Sequence, residues 1–291
     1  MGRAVRQIRH LFERPFVRDV IPLFRAGHLQ PTIAVTAITT ALAVSVGRGA
    51  GAMWVMLAVL SGQLSVGWSN DYLDRVRDAE SKRIDKPIVA GQVNQSLVGI
   101  CAAAALIACV PLSLISGWRA GGVHLVAVSM AWLYNFKLKS TLASAVPYVV
   151  AFGLLPAFVT LGLAEHSWPR PWGMIAAALM GLGAHFVNVL PDLEADRATG
   201  VYGLPHRLGF LAALVLGALF ITASTVVIAL VALDSTSQFR VALLVVALAS
   251  AIAIGITGFS GNHRAAWTLT LGVAGLNVLA LLANGASVVN R

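Results

Sequence analysis

The 291-residue chain is 58% hydrophobic and only 11% charged, with a mean hydropathy of +0.80, whereas soluble domains carry about 25% charged residues. A water-soluble fold of this size could not bury so much apolar surface, so the lipid bilayer is its solvent. The formal charge of +9 belongs to topogenic residues beside anionic headgroups; nucleic acid is excluded as a partner, because no basic stretch is interleaved with aromatics in the manner of a single-strand groove.

The first elements are basic. Arg3, Arg6, Arg9, Arg14 and Arg18 precede any long apolar run, where a secretory signal would place a short apolar region and a small-residue cleavage site. Residues 1–27 are therefore expected to form a basic interfacial arm on the cytoplasmic side, and residues 28–291 a single transmembrane domain. Apolar runs of spanning length follow at His28–Val46, Ala52–Asn70, Ser96–Ser116, Gly121–Phe136, Leu142–Leu163, Trp172–Leu190, Leu208–Leu233, Val241–Phe259 and Ala265–Ala283. Nine transmembrane helices and an all-α integral membrane protein are predicted. Cys101 and Cys109 share one run, about 12 Å apart along a helix, too far for a disulfide. Trp68, Trp118, Trp168 and Trp172 suit interface anchoring, and Gly181 and Gly183 suit close helix approach.

With the N-terminus inside, the arm and the loops after helices 2, 4, 6 and 8 carry sixteen of the 21 Lys and Arg residues. The positive-inside rule then makes that face cytoplasmic, and the cell membrane the expected location.

The acids are distributed differently. Of twelve Asp and Glu residues, five lie between Asp71 and Asp85 and three between Asp192 and Asp196, at the cytoplasmic ends of helices 2 and 6. In register, Asn70, Asp74, Asp78, Pro87 and Gly91 match Asn188, Asp192, Asp196, Pro205 and Gly209 at identical spacing. Helices 1–4 and 5–8 thus read as duplicated four-helix units, with a ninth helix added, around a central cavity. Residues at i, i+4 and i+8 stay near one helical face, so Asp74 and Asp78 project together with Asn70 and Asp71, and Asp192 with Asp196. Carboxylates that close repel unless hard cations bridge them. Carboxylate oxygens with an Asn carbonyl are ligands suited to Mg²⁺, which shares its shell with substrate phosphates.

At these residues the chain resembles the UbiA superfamily of intramembrane prenyltransferases, whose two acidic motifs are matched by "NDYLDRVRD" and "DLEAD". "KRIDKPIVAG", "LYNFKLK" and "ATGVYGLPHRLG" are similar to three further family segments; Leu138 departs from the family's basic residue in the second of them. The resemblance implies Mg²⁺-dependent transfer of an isoprenyl group from an allylic isoprenyl diphosphate to a lipophilic or aromatic acceptor, with membrane lipids around the site. Asp71, Asp74, Asp78, Asp192 and Asp196 would carry the catalytic metal together with Asn70. Asn70, Arg83, Lys86, Tyr134, Lys137, Lys139, Asn188 and Arg207 are the candidates for the diphosphate. Tyr134 could also offer its ring to an allylic cation or sit in the interfacial belt, and His28 and His185 read as packing or hydrogen-bonded residues.

A terpene cyclase of the same superfamily needs the same ionisation and stays open on these motifs. A CDP-alcohol phosphotransferase would want Gly after its second Asp, where this chain has Arg75. A transporter would place its polar groups near the membrane centre on broken helices, whereas these acids cluster at one boundary.

Overall fold

The computed structural model describes residues 16–232 and 238–290; Arg3, Arg6, Arg9 and Arg14 of the expected arm lie outside them. Its helices are α1 (Phe16–Ala26), α2 (Leu29–Ser45), α3 (Gly51–Glu80), α4 (Gln95–Leu114), α5 (Trp118–Phe136), α6 (Val146–Thr160) and α7 (Pro171–Val189), then α8 (Leu193–Ala198), α9 (Leu204–Leu208), α10 (Phe210–Val227), α11 (Gln238–Phe259), α12 (His263–Ala283) and α13 (Gly285–Val288). Beyond one isolated bridge, Pro169 to Val289, the described residues hold no β-structure.

Helices are what an apolar chain must form in lipid, where no water satisfies stray N–H and C=O groups. Hydroxyls that would otherwise be orphaned bond back to their own helix: Thr39 donates to the Val35 carbonyl at 2.8 Å and Ser65 to Gly62 at 2.7 Å. Helix starts are capped by the residues that suit them. Asn94 accepts from the Ser96 N–H at 2.8 Å, and Pro171 occupies the first turn of α7, where its missing donor costs nothing.

Seven helical stretches among the described residues are long and apolar enough to cross a membrane. The two other expected runs are helical but less apolar or shorter. α2 has 17 residues, and α5 carries Arg119, His124 and Asn135 within its length. Neighbouring helices pack in sequence, α2 on α3 through to α11 on α12, and α12 returns to α2 to close the bundle. Close approach is set by glycine where the spacing called for it: a Cβ on Gly183 would fall 2.5 Å from Ile221 and 2.9 Å from the Gly217 carbonyl on α10. The half of the bundle away from the acids is filled by Val55, Val59, Ala58, Ala120 and Phe158, none more than 1% exposed.

Three departures from expectation matter for the site. α3 does not stop near Asn70 but runs on through Glu80, so the first acidic motif is continuous helix. Its 30 residues make about 45 Å, well past a hydrocarbon core of about 30 Å. The second motif is broken instead. Pro191 follows Leu190, and the chain tightens to a 3₁₀ turn (Leu190–Asp192) before the short α8; the proline has no N–H to donate to the preceding turn and its ring crowds the carbonyl there. Asp192 and Asp196 therefore do not share one uninterrupted helical face. Finally, Trp118 and Trp168 are exposed as interface anchors should be, but Trp68 and Trp172 are buried. Trp68 Nε1 donates to the Leu23 carbonyl at 2.8 Å and ties α1 to α3.

The repeat keeps one local signature. Gly91 and Gly209, which close the two matched segments, both take positive φ, +66° and +88°. Glycine meets that demand without strain.

Candidate active site

Asp71, Asp74 and Asp78 lie on one stripe of α3 and are 2%, 8% and 4% exposed. Buried carboxylates need compensation, and here cations from three segments supply it, Arg77 on α3, Arg83 and Lys86 in the loop that follows, and Lys139 after α5, with the His28 imidazole beside them. Asp71 Oδ1 accepts from Lys86 Nζ at 2.7 Å and contacts His28 Nε2 at 2.9 Å. Asp74 is paired with Lys139 through Oδ1, and its Oδ2 accepts from Arg77 at 2.8 Å and from Asn70 at 3.2 Å. Asp78 lies in the fields of Lys86, Arg77 and Arg83. Asn135 on α5 fixes Asn70: its Oδ1 accepts from Asn70 at 3.3 Å, while its amide donates to Val66 O and Ser69 Oγ, both at 2.9 Å.

Local folding explains which lysine faces inward. After α5 the chain makes a 3₁₀ turn, Leu138–Ser140. Lys139 turns in to Asp74, while Lys137 stays exposed without an ion pair among the described residues. Burial pushes the Lys139 ammonium pKa down, and the Asp74 carboxylate opposes that shift.

The second motif joins the first through Arg83. Its guanidinium binds Asp85 at 3.0 Å and reaches Asp192 at 3.4 Å. The Asp85 hydrogen bond raises the Arg83 pKa, and Arg83 holds the Asp85 carboxyl below its usual range. Asp192 is half exposed. Asp196 contacts His206 Nε2 at 3.2 Å, and Arg197 donates to the His206 carbonyl at 2.8 Å. Between the motifs stands an aromatic group: Tyr134 lies 5.3 Å from Tyr148 and 5.8 Å from His185, edge to face in both cases. Tyr134 feels the charge of both Asp74 and Asp196, so it belongs to the interior rather than to the interfacial belt. His185 accepts or donates at 3.0 Å to Ser144, whose hydroxyl also takes the Leu204 N–H at 2.8 Å.

The expected residues are thus not equally placed. Asn70, Asp71, Asp74, Asp78, Arg83, Lys86, Tyr134, Lys139, Asp192 and Asp196 surround one end of the bundle. Asn188 is exposed and bonds Tyr148 rather than a second-motif carboxylate. Arg207 is exposed and donates to the Tyr202 carbonyl at 2.9 Å. His28, Arg77, Asn135 and His206 were not singled out by motif, and only Arg77, three residues after Asp74, carried a spacing signal.

Among the described residues, no three Asp, Glu, His or Cys side chains are grouped as a metal set; Asp71 is instead paired with Lys86, Asp74 with Lys139 and Arg77, and Asp192 with Arg83, while Asp78 makes no ion pair among the described residues. The donor chemistry still fits Mg²⁺. The acids and Asn70 offer hard oxygens, and Asp71 Oδ2 is buried without a hydrogen-bond partner, a lone pair that a cation would satisfy.

Comparison with known proteins identifies the family and the fold. The model of the UbiA prenyltransferase family matches residues 29–284. Digeranylgeranylglyceryl phosphate synthase of Methanopyrus kandleri is 26% identical over 203 residues, 67% of this chain and 74% of that protein. A UbiA homolog from Aeropyrum pernix superposes with a TM-score of 0.66 at 18% identity, covering 86% of this chain and 98% of its own. A UbiA homolog from Archaeoglobus fulgidus bound to GPP and Mg²⁺ gives 0.63 at 17% identity, covering 92% and 100%. The chain is an integral membrane protein that belongs to the UbiA prenyltransferase family.

Proposed function

We propose that the protein transfers an isoprenyl group from an allylic isoprenyl diphosphate to a lipophilic or aromatic acceptor, with Mg²⁺ held by Asp71, Asp74, Asp78, Asp192 and Asp196 and by Asn70. The observation that carries this reading is the stripe of three buried acids on α3, matched by cations from neighbouring segments and joined through Arg83 to Asp192 of the second motif, at one end of an apolar bundle. With Mg²⁺ bound at these oxygens, the diphosphate would be neutralised and stabilised as leaving group. Lys86, Lys139, Arg77 and Arg83 then become available to the diphosphate oxygens, as a charge-assisted clamp. The C1–O bond of the donor breaks with its electron pair going to the diphosphate, and the acceptor nucleophile forms the new bond at C1 and loses a proton. Tyr134 and Tyr148 present ring faces where positive charge develops, and the surrounding helices exclude water from the allylic cation.

We place this site on the cytoplasmic face of the cell membrane, with nine crossings and residues 1–27 as an interfacial arm. The charge bias of the loops supports that orientation. α1 supports the arm: it is amphipathic and turns Ile21 and Phe24 outward while Ala26 is buried.

The test is diphosphate release by purified protein, with allylic diphosphates of several lengths, with and without a membrane-lipid extract. Release that depends on the extract and yields a prenylated lipid supports the transferase; release alone with a cyclised product makes it a cyclase. Chelation with EDTA should lower release at least 10²-fold, of the order seen when transition-state charge stabilisation is removed, and added Mg²⁺ should restore it. Release that persists under chelation would sink the metal assignment. For the aromatic group, Tyr134→Phe should retain most activity. Tyr134→Leu should lose about tenfold or more in kcat, since a desolvated cation–π contact is worth about 2 kcal/mol; equal rates in the two variants would remove Tyr134 from the chemistry.

A further inference from the structure

The segment that carries Lys139 meets the segment that follows the second acidic motif at one tight point. Gly203, immediately before α9, is buried. A Cβ there would fall 2.5 Å from the Lys139 carbonyl, 3.0 Å from Ser144 Oγ and 3.2 Å from His206 Nδ1. Its φ is −65°, which any residue adopts, so glycine is demanded here by space and not by backbone conformation. The nearest obstacle is main chain, and it can yield only if the Leu138–Ser140 turn moves.

Ser144 closes the same junction from the other side. It lies in a second 3₁₀ turn, Leu142–Ala145, and is 0% exposed. Its Oγ accepts the Leu204 N–H at 2.8 Å and makes the 3.0 Å hydrogen bond to His185 Nε2. Leu204 opens α9, and the first N–H groups of a helix have no partner within it. One hydroxyl therefore joins the linker after α5, the start of α9 and the middle of α7. Losing it would leave a buried donor unpaired, at a cost of about 1–3 kcal/mol.

Both sides of this junction lead to carboxylates. Lys139, whose carbonyl rests on Gly203, is the residue whose ammonium pairs with Asp74. His206, three residues beyond Gly203, meets Asp196 at 3.2 Å. Neither Gly203 nor Ser144 touches an acid itself.

We propose that Gly203 and Ser144 are positioning residues: together they hold the Leu138–Ser140 turn in the one setting that delivers Lys139 to Asp74. The placement stands on geometry, and its bearing on turnover rests on the proposed activity.

The experiment is acylation of lysines in the purified full chain in detergent, at one fixed pH, with each site followed by mass spectrometry. Lys139 and Lys86 have side chains 13% and 16% exposed and are both ion-paired, so both should label slowly in the wild type, and exposed Lys137 quickly. Gly203→Ala should raise the labelling rate of Lys139 relative to Lys86 by about tenfold, the low end for releasing a hydrogen bond to a charged group. Ser144→Ala adds no atom and should move the same ratio the same way by about threefold; it decides the matter if Gly203→Ala does not fold. A ratio that neither folded variant moves overturns the assignment. So does an equal rise at Lys86, which would mean that the whole site had loosened. In diphosphate release, the increase in KM caused by Gly203→Ala should be largely absent in a Lys139→Ala background, because effects that act through one residue do not add; additive effects overturn the role. Absence of release by the wild type would remove the proposed activity and leave the labelling ratio to decide the positioning.

Discussion

Asp74→Asn should lower kcat/KM for diphosphate release by about 10²–10³-fold, the scale on which one preorganised electrostatic contact to a transition state is measured. The substitution keeps the shape of the side chain and removes its charge. Asp74 accepts from Lys139, Arg77 and Asn70, so two cations would face a neutral amide, and one hard ligand would be gone. Lys139 would lose the carboxylate that opposes its downward shift, so its ammonium would deprotonate at a lower pH than in the wild type. Diphosphate affinity should therefore weaken from the alkaline side first. The protein should stay folded, which thermal unfolding in detergent reports, because α3 is held elsewhere along its length by α2, α4 and α5. Turnover within tenfold of wild type would remove Asp74 from the catalytic set.

Gly67→Ala should cost roughly 1–3 kcal/mol of stability, the usual range for overpacking, and lower activity as well. A Cβ at Gly67 would fall inside the van der Waals shell of the Gly27 carbonyl. The obstacle is backbone, so no side chain can swing away, and the turn between α1 and α2 must move. His28 is the next residue of that turn, a non-glycine held at φ +51°, and it makes the 2.9 Å contact to Asp71. A displaced turn would draw His28 off the acid and loosen α1, which Trp68 anchors through Leu23. Gly122→Ala is the matched control, since a Cβ there meets nothing within 4 Å and alanine favours the helix. A melting temperature for Gly67→Ala equal to that of the control would show that the turn yields freely.

The sequence carried the membrane class and the acidic motifs because both are local signals. Hydropathy over twenty residues and carboxylates at helical spacing need no knowledge of distant segments. The partners of those carboxylates are non-local, and there the reading thinned. Asp71 meets His28 from 43 positions earlier and Asp74 meets Lys139 from 65 later; nothing in the spacing of either announces it. Lys137 and Lys139 looked alike until a 3₁₀ turn separated them. Pro191 was visible in the sequence, and its effect on Asp192 follows from ring sterics, yet the matched spacing of the repeat masked it. Asn188 shows the same limit: the register pairs it with Asn70, but one bonds a tyrosine and the other an aspartate.

The length of α3 bears on how the enzyme meets its substrate. With the proposed cytoplasmic orientation, a helix that overshoots the hydrocarbon core would put its carboxylates at the depth of the lipid phosphates, while the stripe that precedes them would continue into the acyl layer. An amphiphilic donor already lies in that posture, head at the interface and tail among lipid chains. On the proposed function it would enter from within the leaflet without passing through water. The concentration that governs saturation is then a surface density, and dilution by inert lipid should slow the reaction even when the amount of donor per volume of sample is held constant.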